Sequence, residues 1–565
     1  MRARRWWAAA ILCACGVSWY WLLPRAPVVL PTRAVPNGLV RGVVHVHTRR
    51  SDGTGTVDDV AAAAARAGLQ FVIFTDHGDG TRQGEAPAYR SGVLCIDAVE
   101  VSTEGGHVLA LGLPQMPYPL GGEARDVLAD IHRMGAMGFA AHPSSDRHSL
   151  RWSEWGTALD GLEWLNADSE WRDEDWPTLA RALLTYPFRR TATLAGLLDR
   201  PAETLQRWDD LTRRRQVVAL AAVDAHARLS LTAGDPYRAG PAVHVPSYEQ
   251  MFRAMSVTVS HVQLSGVGQE DARAVLEAIR RGHLYSTIDG LAGPAVFRFS
   301  AMSGGNRAEG GDRLAIAGSS VEVGVETNAP AGARIVLVKD GAEITSSSGP
   351  MLTYAAPATP GVYRAEVQLA TAPGDPPVPW VVSNPIYVGM DVVATEPDAV
   401  PPQSVAVAPV YQDGPAVGWQ VERSPRSLVE LDVVPSVGGT QLSLRYGLGG
   451  TVSERPYVAL VAPASLAPSD FDRLIFTIRA LRPMRLSVQV RASGQAQDVR
   501  WRRSVYLDDT PRTIAVFLDD MTPVGQAAGR PVPSGIHDVL FVVDTVNAAP
   551  GSSGQIWIDD IKYAR

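Results

Sequence analysis

Residues 39–53 run Leu39-Val40-Arg41-Gly42-Val43-Val44-His45-Val46-His47-Thr48-Arg49-Arg50-Ser51-Asp52-Gly53. The apolar run Leu39 to Val46 reads as a strand, and side chains at i and i+2 of a strand leave the same face. The spacing therefore predicts that His45 and His47 hold one metal ion together. Ser51-Asp52-Gly53 has turn chemistry, which lets the Asp52 carboxylate bend back toward that ion.

Four further apolar runs end in the same kind of side chain. Phe71 to Phe74 leads into Thr75-Asp76-His77, and Val93 to Val99 leads into Glu100, a carboxylate placed to bridge two cations. Gly138 to Ala141 ends at His142, where Pro143 turns the chain out of a sheet. Val217 to Val223 ends at Asp224 and His226, again two residues apart. Five strand ends thus aim imidazoles and carboxylates at one place, as at the C-terminal face of an α/β barrel. That donor mixture suits zinc, manganese or iron rather than calcium, which prefers oxygen alone. Asp76 points away from His77 along its strand, which gives it the task of holding a neighbouring imidazole or loop.

In this order the motifs resemble the PHP (polymerase and histidinol phosphatase) metallohydrolases, over about Gly42 to Asp289. The resemblance implies a distorted, seven-stranded β/α barrel and two or three divalent metal ions (Zn, Mn or Fe). It makes His45, His47, Asp52, His77, Glu100, His142, Asp224 and His226 the metal ligands, and His107 matches a ligand position of some branches. The activity it implies is phosphoester hydrolysis. In layout the chain is similar to the carbaryl-hydrolase-like branch, with an export segment and extra C-terminal β modules, so a carbamate, amide or ester hydrolase is the alternative. The long insert between His142 and Asp224 departs from the commoner pattern and leaves the substrate open.

The expected chemistry belongs to water held by His45, His47, Glu100 and Asp224 through the ions, which lower its pKa from 15.7 toward about 7. No side-chain nucleophile competes: Cys95 is alone, and Ser144 and Ser145 lack the glycines of a nucleophile elbow. Arg147, His148 and Arg228 are candidate substrate-binding residues. His132, His148, His244, His261, His283 and His537 lack a ligand-like context, and Glu163 and Asn166 read as pocket wall at the end of a strand-like run. Trp152, Trp155, Trp164, Trp171 and Trp176 cluster in the insert, mostly as packing residues.

The rest of the 565 residues frames this unit. Arg2, Arg4 and Arg5 precede the apolar stretch Trp6 to Leu23, just long enough to cross a bilayer core of ~30 Å. Residues 1–25 are therefore expected to be a signal anchor or signal peptide, placing the domains outside the cytoplasm at a bacterial inner membrane. Cys13 or Cys15 would instead make a lipoprotein, and cleavage a secreted protein. A linker (26–40) precedes the expected PHP metallohydrolase domain (41–292). Within it, Thr56 caps a helix to Ala67, Glu123 to Met137 and Trp176 to Arg215 read as helical, and Asp271 to Arg281 is the last helix.

Short β runs between Gly, Pro and Asn then predict an Ig-like β-sandwich (293–390), a linker (391–409) and a jelly-roll, carbohydrate-binding-like β domain (410–565). The fold class expected is multidomain, α/β followed by all-β. The net charge of -7 excludes a nucleic-acid polymer as the electrostatically favoured partner. The partners expected are a small-molecule ester, the membrane through the N-terminal segment and a glycan through the C-terminal domain; a non-catalytic glycan-binding surface protein is the third functional alternative.

Overall fold

The apolar run after Leu39 becomes strand β1, Val40–Val46, buried along nearly its whole length. In the computed structural model, residues 23–31, 37–228, 246–390, 405–462, 471–492, 499–525, 529, 531 and 535–565 are described. Arg2, Arg4, Arg5, Cys13, Cys15 and His244 lie outside them. Among the described residues no helix is long and apolar enough to cross a membrane. The protein is mostly β-sheet and divides into two compact units, Met1–Asp79 with Gln83–Pro114 and Leu128–Thr395, and Gly80–Arg82 with Gln115–Val127 and Glu396–Arg565.

In the first unit β1 pairs in parallel with β2 (Phe71–Phe74), and β2 with β3 (Val93–Asp97). The chain bends at Ala98 and continues as β4 (Val99–Thr103), which pairs antiparallel with β5 (Gly106–Leu111). β6 (Met137–Ala140), β7 (Gly161–Asn166) and β8 (Val218–Ala222) follow in that order across the same sheet. Two short seams join its edges. The Ala225 and His47 amides donate to the carbonyls of His45 and Ala225, and the Glu100 and Gly78 amides donate to those of Asp76 and Glu100. The strands β1-β2-β3/β4-β5-β6-β7-β8 therefore run in a hydrogen-bonded ring, filled by apolar side chains including Val44, Ile73, Leu109, Phe139 and Leu220.

Helices cover this ring where the sequence alternates. Val57–Arg66 starts at Thr56, whose hydroxyl accepts from the Asp59 amide while the Asp59 carboxylate accepts from the Thr56 amide, a capping box worth about 1 kcal/mol. Gly268–Arg281 buries Ala272, Val275, Ala278 and Ile279 and stops at Gly282, at φ +74. The helix expected over Glu123 to Met137 is shorter, Ala124–Arg133, because Gly135 turns at φ +75 and Met137 already belongs to β6. The single helical stretch expected over Trp176 to Arg215 is three helices, Trp176–Thr185, Arg190–Ala195 and Ala202–Thr212. Pro187 and Pro201 fall between them, since proline lacks the donor a continuing helix needs.

The outer edge of β1 carries strand Ser256–Val259, then Leu284–Thr287, and that sheet continues into Val381–Ser383, Gly361–Gln368 and Ile386–Val388. A four-stranded antiparallel sheet around Phe297–Ser303 and Ser320–Thr327 closes over it as a sandwich, with Phe297, Val323, Leu337, Tyr363 and Trp380 in the shared core. Helix Ala202–Thr212 is tied to this sandwich by buried charge: the Arg364 guanidinium donates twice to Asp209 at 2.7 and 2.8 Å, and Glu366 accepts from Arg200 at 2.7 and 2.8 Å. Those arginines hold Glu366 down to about 2 against its burial. In the second unit two six-stranded antiparallel sheets enclose one apolar core. Its last strand is Ser553–Ala564, paired with Ala406–Tyr411, Gly439–Gly447 and Arg473–Ala480.

Candidate metal centre

The loops leaving β1, β2, β6 and β8, together with β4 and β5, bring nine of the predicted side chains into one buried cluster. His45 does not reach it by regular strand alternation. The β1 register shifts between Val44 and Val46, and His45 sits in that bulge at φ +67. His47 lies just past the strand, with its ring centroid 5.0 Å from that of His45. Asp224 and His226 likewise lie beyond β8, with Asp224 at φ +44, rather than on one face of a strand. His142 is a third non-glycine residue in the left-handed region, at φ +30. Each such residue costs about 1–3 kcal/mol and persists only where surrounding contacts enforce it, commonly at functional sites. Glu100 differs from expectation too: it lies inside β4 rather than at a strand end, because the bend at Ala98 restarts the strand.

Glu100 is the hub. Its Oε2 lies 3.2 Å from His45 Nε2, 3.3 Å from His47 Nε2 and 3.2 Å from His77 Nδ1, and its Oε1 lies 2.7 Å from His107 Nδ1 and 2.9 Å from His142 Nε2. Asp224 Oδ1 lies 3.3 Å from His45 Nε2 and 3.2 Å from His47 Nε2. Asp52 Oδ2 lies 3.1 Å from His226 Nε2 and accepts from Arg228 at 2.9 Å. A Cβ on Gly53 would stand 2.3 Å from the His47 carbonyl, so the turn that returns Asp52 to His47 requires glycine there.

The outer ring nitrogens are held by other groups. His45 Nδ1 lies 2.6 Å from Glu163 Oε1, His142 Nδ1 lies 3.2 Å from the Leu150 carbonyl and His226 Nδ1 lies 3.0 Å from the Asp224 carbonyl. Donation outward from Nδ1 leaves Nε2 inward as a lone pair, the tautomer a metal ligand needs. Sequence reasoning placed Glu163 only in the pocket wall, yet it fixes His45, accepts from the His142 amide at 2.6 Å and from Asn166 at 2.7 Å. The available signal was an acid in the middle of the wholly buried β7. Asp76 accepts from the Thr48 amide and hydroxyl and from Ser51, and so pins the loop after His47. Arg147 and His148 stand exposed on the loop after His142.

Burial opposes charge on His45, but Asp224, Glu163 and Glu100 hold its pKa well above the usual value. His47 is pushed up to about 10, burial being outweighed by Asp224 and Glu100. Burial dominates at His77, which falls to about 4. The surrounding imidazoles overcome burial at the carboxylates, holding Asp52 at about 2 and Glu100 and Asp224 well below the usual range.

The donors fit divalent cations. His47, Asp52, His77 and His226 offer atoms within 4.8 Å of one another, as do His45, His47 and Asp224, and His77, Glu100 and His107. His47 Nε2 and Asp224 Oδ1 are both buried and 3.2 Å apart, yet neither has an aligned hydrogen bond. Two facing acceptors in a dry site repel unless a cation stands between them or a proton is forced onto one.

No family model matches the chain, and no curated protein does. Among solved structures it is similar to the family 11 carbohydrate-binding module of the cellulosomal cellulase Lic26A-Cel5E of Clostridium thermocellum, at 18% identity over 28% of this chain and 95% of that one, with a TM-score of 0.23. The family 30 module of the Clostridium thermocellum cellulase Cel9D-Cel44B is similar at 15% identity over 27% and 95%, with a TM-score of 0.21. A family 29 carbohydrate-binding module is similar at 14% identity over 29% and 89%, with a TM-score of 0.19. Likeness at these TM-scores decides neither the ligand nor the chemistry.

Proposed function

We propose that the chain is an exported, metal-dependent hydrolase of the PHP type, acting on phosphoesters. One observation carries the reading: the outer nitrogens of His45, His142 and His226 are engaged by acceptors while their inner nitrogens converge on Glu100, Asp224 and Asp52. His45, His47, Asp52, His77, Glu100, His107, Asp224 and His226, with His142 through its contact with Glu100, would hold two or three zinc, manganese or iron ions. Such ions supply water activation at neutral pH and neutralise charge developing on a phosphoryl oxygen. The chain's own residues orient the donors: Glu163 sets the tautomer of His45, Asp76 fixes the loop that carries Asp52, and Arg228 offsets part of the charge on Asp52. The ring of strands in the first unit, with helices outside it, supports this reading.

The test is metal depletion with a chelator, reloading with zinc, manganese or iron, and a panel of nucleotides, p-nitrophenyl phosphate and aryl carbamates. Phosphate release that returns with metal and is lost in His47→Ala is the expected result. Carbamate cleavage without phosphate release would replace it with the alternative hydrolase reading. Turnover on none, with glycan binding intact, would leave the third. For that third reading the second unit is the place to look, although Arg479 already stacks 3.8 Å over the ring of half-buried Trp557 on that sandwich.

A further inference from the structure

Helix Trp176–Thr185 and the turn after it carry apolar side chains on the wrong side. Trp176, Ala180, Leu183, Leu184, Pro187 and Phe188 are exposed, while Thr178, Leu179, Ala182, Thr185 and Tyr186 turn inward. Positions 176, 180, 183 and 184 recur at helical spacing and form one stripe on the helix, and exposed Pro187 and Phe188 follow it in the turn. Trp176 is 80% exposed, Leu183 66%, Leu184 55% and Phe188 64%. A stripe of this size on a monomer marks an interaction surface.

The occupant follows from where the leading segment joins the structure. Leu23, Pro24 and Arg25 lie in a cleft with Thr178, Arg181 and Thr185 on the inner flank of this helix. The Pro24 carbonyl accepts from Arg189 Nη1 at 2.5 Å. Pro24 directly follows the apolar stretch Trp6 to Leu23, so it lies at a bilayer edge whenever that stretch lies in the bilayer. Arg189 is bonded to it, and Phe188 is its chain neighbour. Exposed Arg190 flanks the stripe at its C-terminal end, where headgroup phosphates would meet it, and Asp173, Glu174 and Asp175 precede its N-terminal end. The apolar stripe, rather than net charge, supplies the attraction.

We propose that this face lies in the membrane interface, Trp176, Leu183, Leu184 and Phe188 dipping about 5–10 Å below the headgroups near Leu23, where the leading apolar stretch ends. The protein then has two membrane contacts, which fixes the orientation of the first unit at the surface.

The test uses the full chain in phosphatidylcholine–phosphatidylglycerol vesicles, in a Cys13→Ser, Cys15→Ser background where the remaining Cys95 is buried. Nitroxides are placed at Leu184→Cys, Phe188→Cys and, as a control, Glu203→Cys, whose side chain is 79% exposed. The expected result is ready collision with oxygen and little with a water-soluble nickel chelate at 184 and 188, with the reverse at 203. Equal access to the nickel chelate at all three places the face in water and overturns the proposal. Shielding from both reagents means that the leading segment covers the stripe, and spin–spin broadening means that a second copy does; either also overturns it. As a second measurement, Leu184→Glu with Phe188→Glu, both on exposed positions, should abolish vesicle-dependent protection from hydrogen exchange over residues 176–188; unchanged protection overturns the proposal.

Discussion

The end of the strand ring in the first unit and the core of the second unit's sandwich both bury their side chains, and they are built on opposite rules. In the sandwich, Leu444, Phe476, Val488, Phe541 and Ile558 fill the interior and need only be apolar and of the right size. At the ring's end stand six imidazoles, four of them buried, with buried Glu100, Asp224, Asp52 and Glu163 and with three backbones in the left-handed region. Removing a core side chain costs stability wherever it is done. Removing a member of the cluster takes away a metal donor or its support, so the loss appears first as chemistry. Stability and activity should therefore respond to mutation separately in the two regions.

The sharpest test of that separation is Asp224→Asn. Metal-dependent turnover should fall on the order of 10³-fold, as when other transition-state charge stabilisers are removed, while the thermal midpoint of the metal-depleted protein falls by less than in a core truncation such as Phe541→Ala. A midpoint loss as large as that truncation's would erase the contrast. Phe541→Ala is the reciprocal case: Phe541 is fully buried and meets Phe476 edge to face at 5.1 Å. It should cost about 3–5 kcal/mol in denaturant unfolding and leave metal stoichiometry per folded chain unchanged.

Glu163→Gln sharpens the comparison inside the cluster, because it keeps volume and removes only the charge that orients His45. Metal affinity should drop about 10–100-fold in calorimetric titration, with a smaller effect on folding than Phe541→Ala. The smallest effect is expected from acid. The arginines hold Glu366 at about 2 against an ordinary value of 4.5. A carboxylate with a depressed folded pKa contributes stability that is present above the unfolded value and lost as pH falls through the folded one. The thermal midpoint should therefore decline between pH 4.5 and pH 2, and Glu366→Gln should flatten that part of the curve. A midpoint indifferent to pH over that window would mean that the arginine cage is not in place.

Much of the skeleton was legible in local pattern. The strand Phe71–Phe74, the Thr56 cap and the amphipathic helix ending at Gly282 follow from periodicity and capping chemistry, which act within a few residues. The helix breaks at Pro187 and Pro201 were legible too, but the insert's helical periodicity masked them. Glu163 was not: an acid in an apolar strand is read as a misfit until the imidazole it orients, 118 residues away in sequence, is known. The bulge at His45 was equally hidden, because regular alternation and a bulge both bring His45 and His47 together and differ only in backbone.

By itself the sequence determined which groups could do chemistry and roughly where the strands that carry them begin and end, because residue type and spacing are local properties. Only the tertiary structure decided that Glu100 meets five imidazoles, that Asp76 holds a loop rather than an imidazole, and that the Trp176 helix turns its apolar stripe outward. Those outcomes depend on which distant strands share hydrogen bonds and on which face of a helix finds a partner, and long-range pairing leaves no periodic mark on the chain.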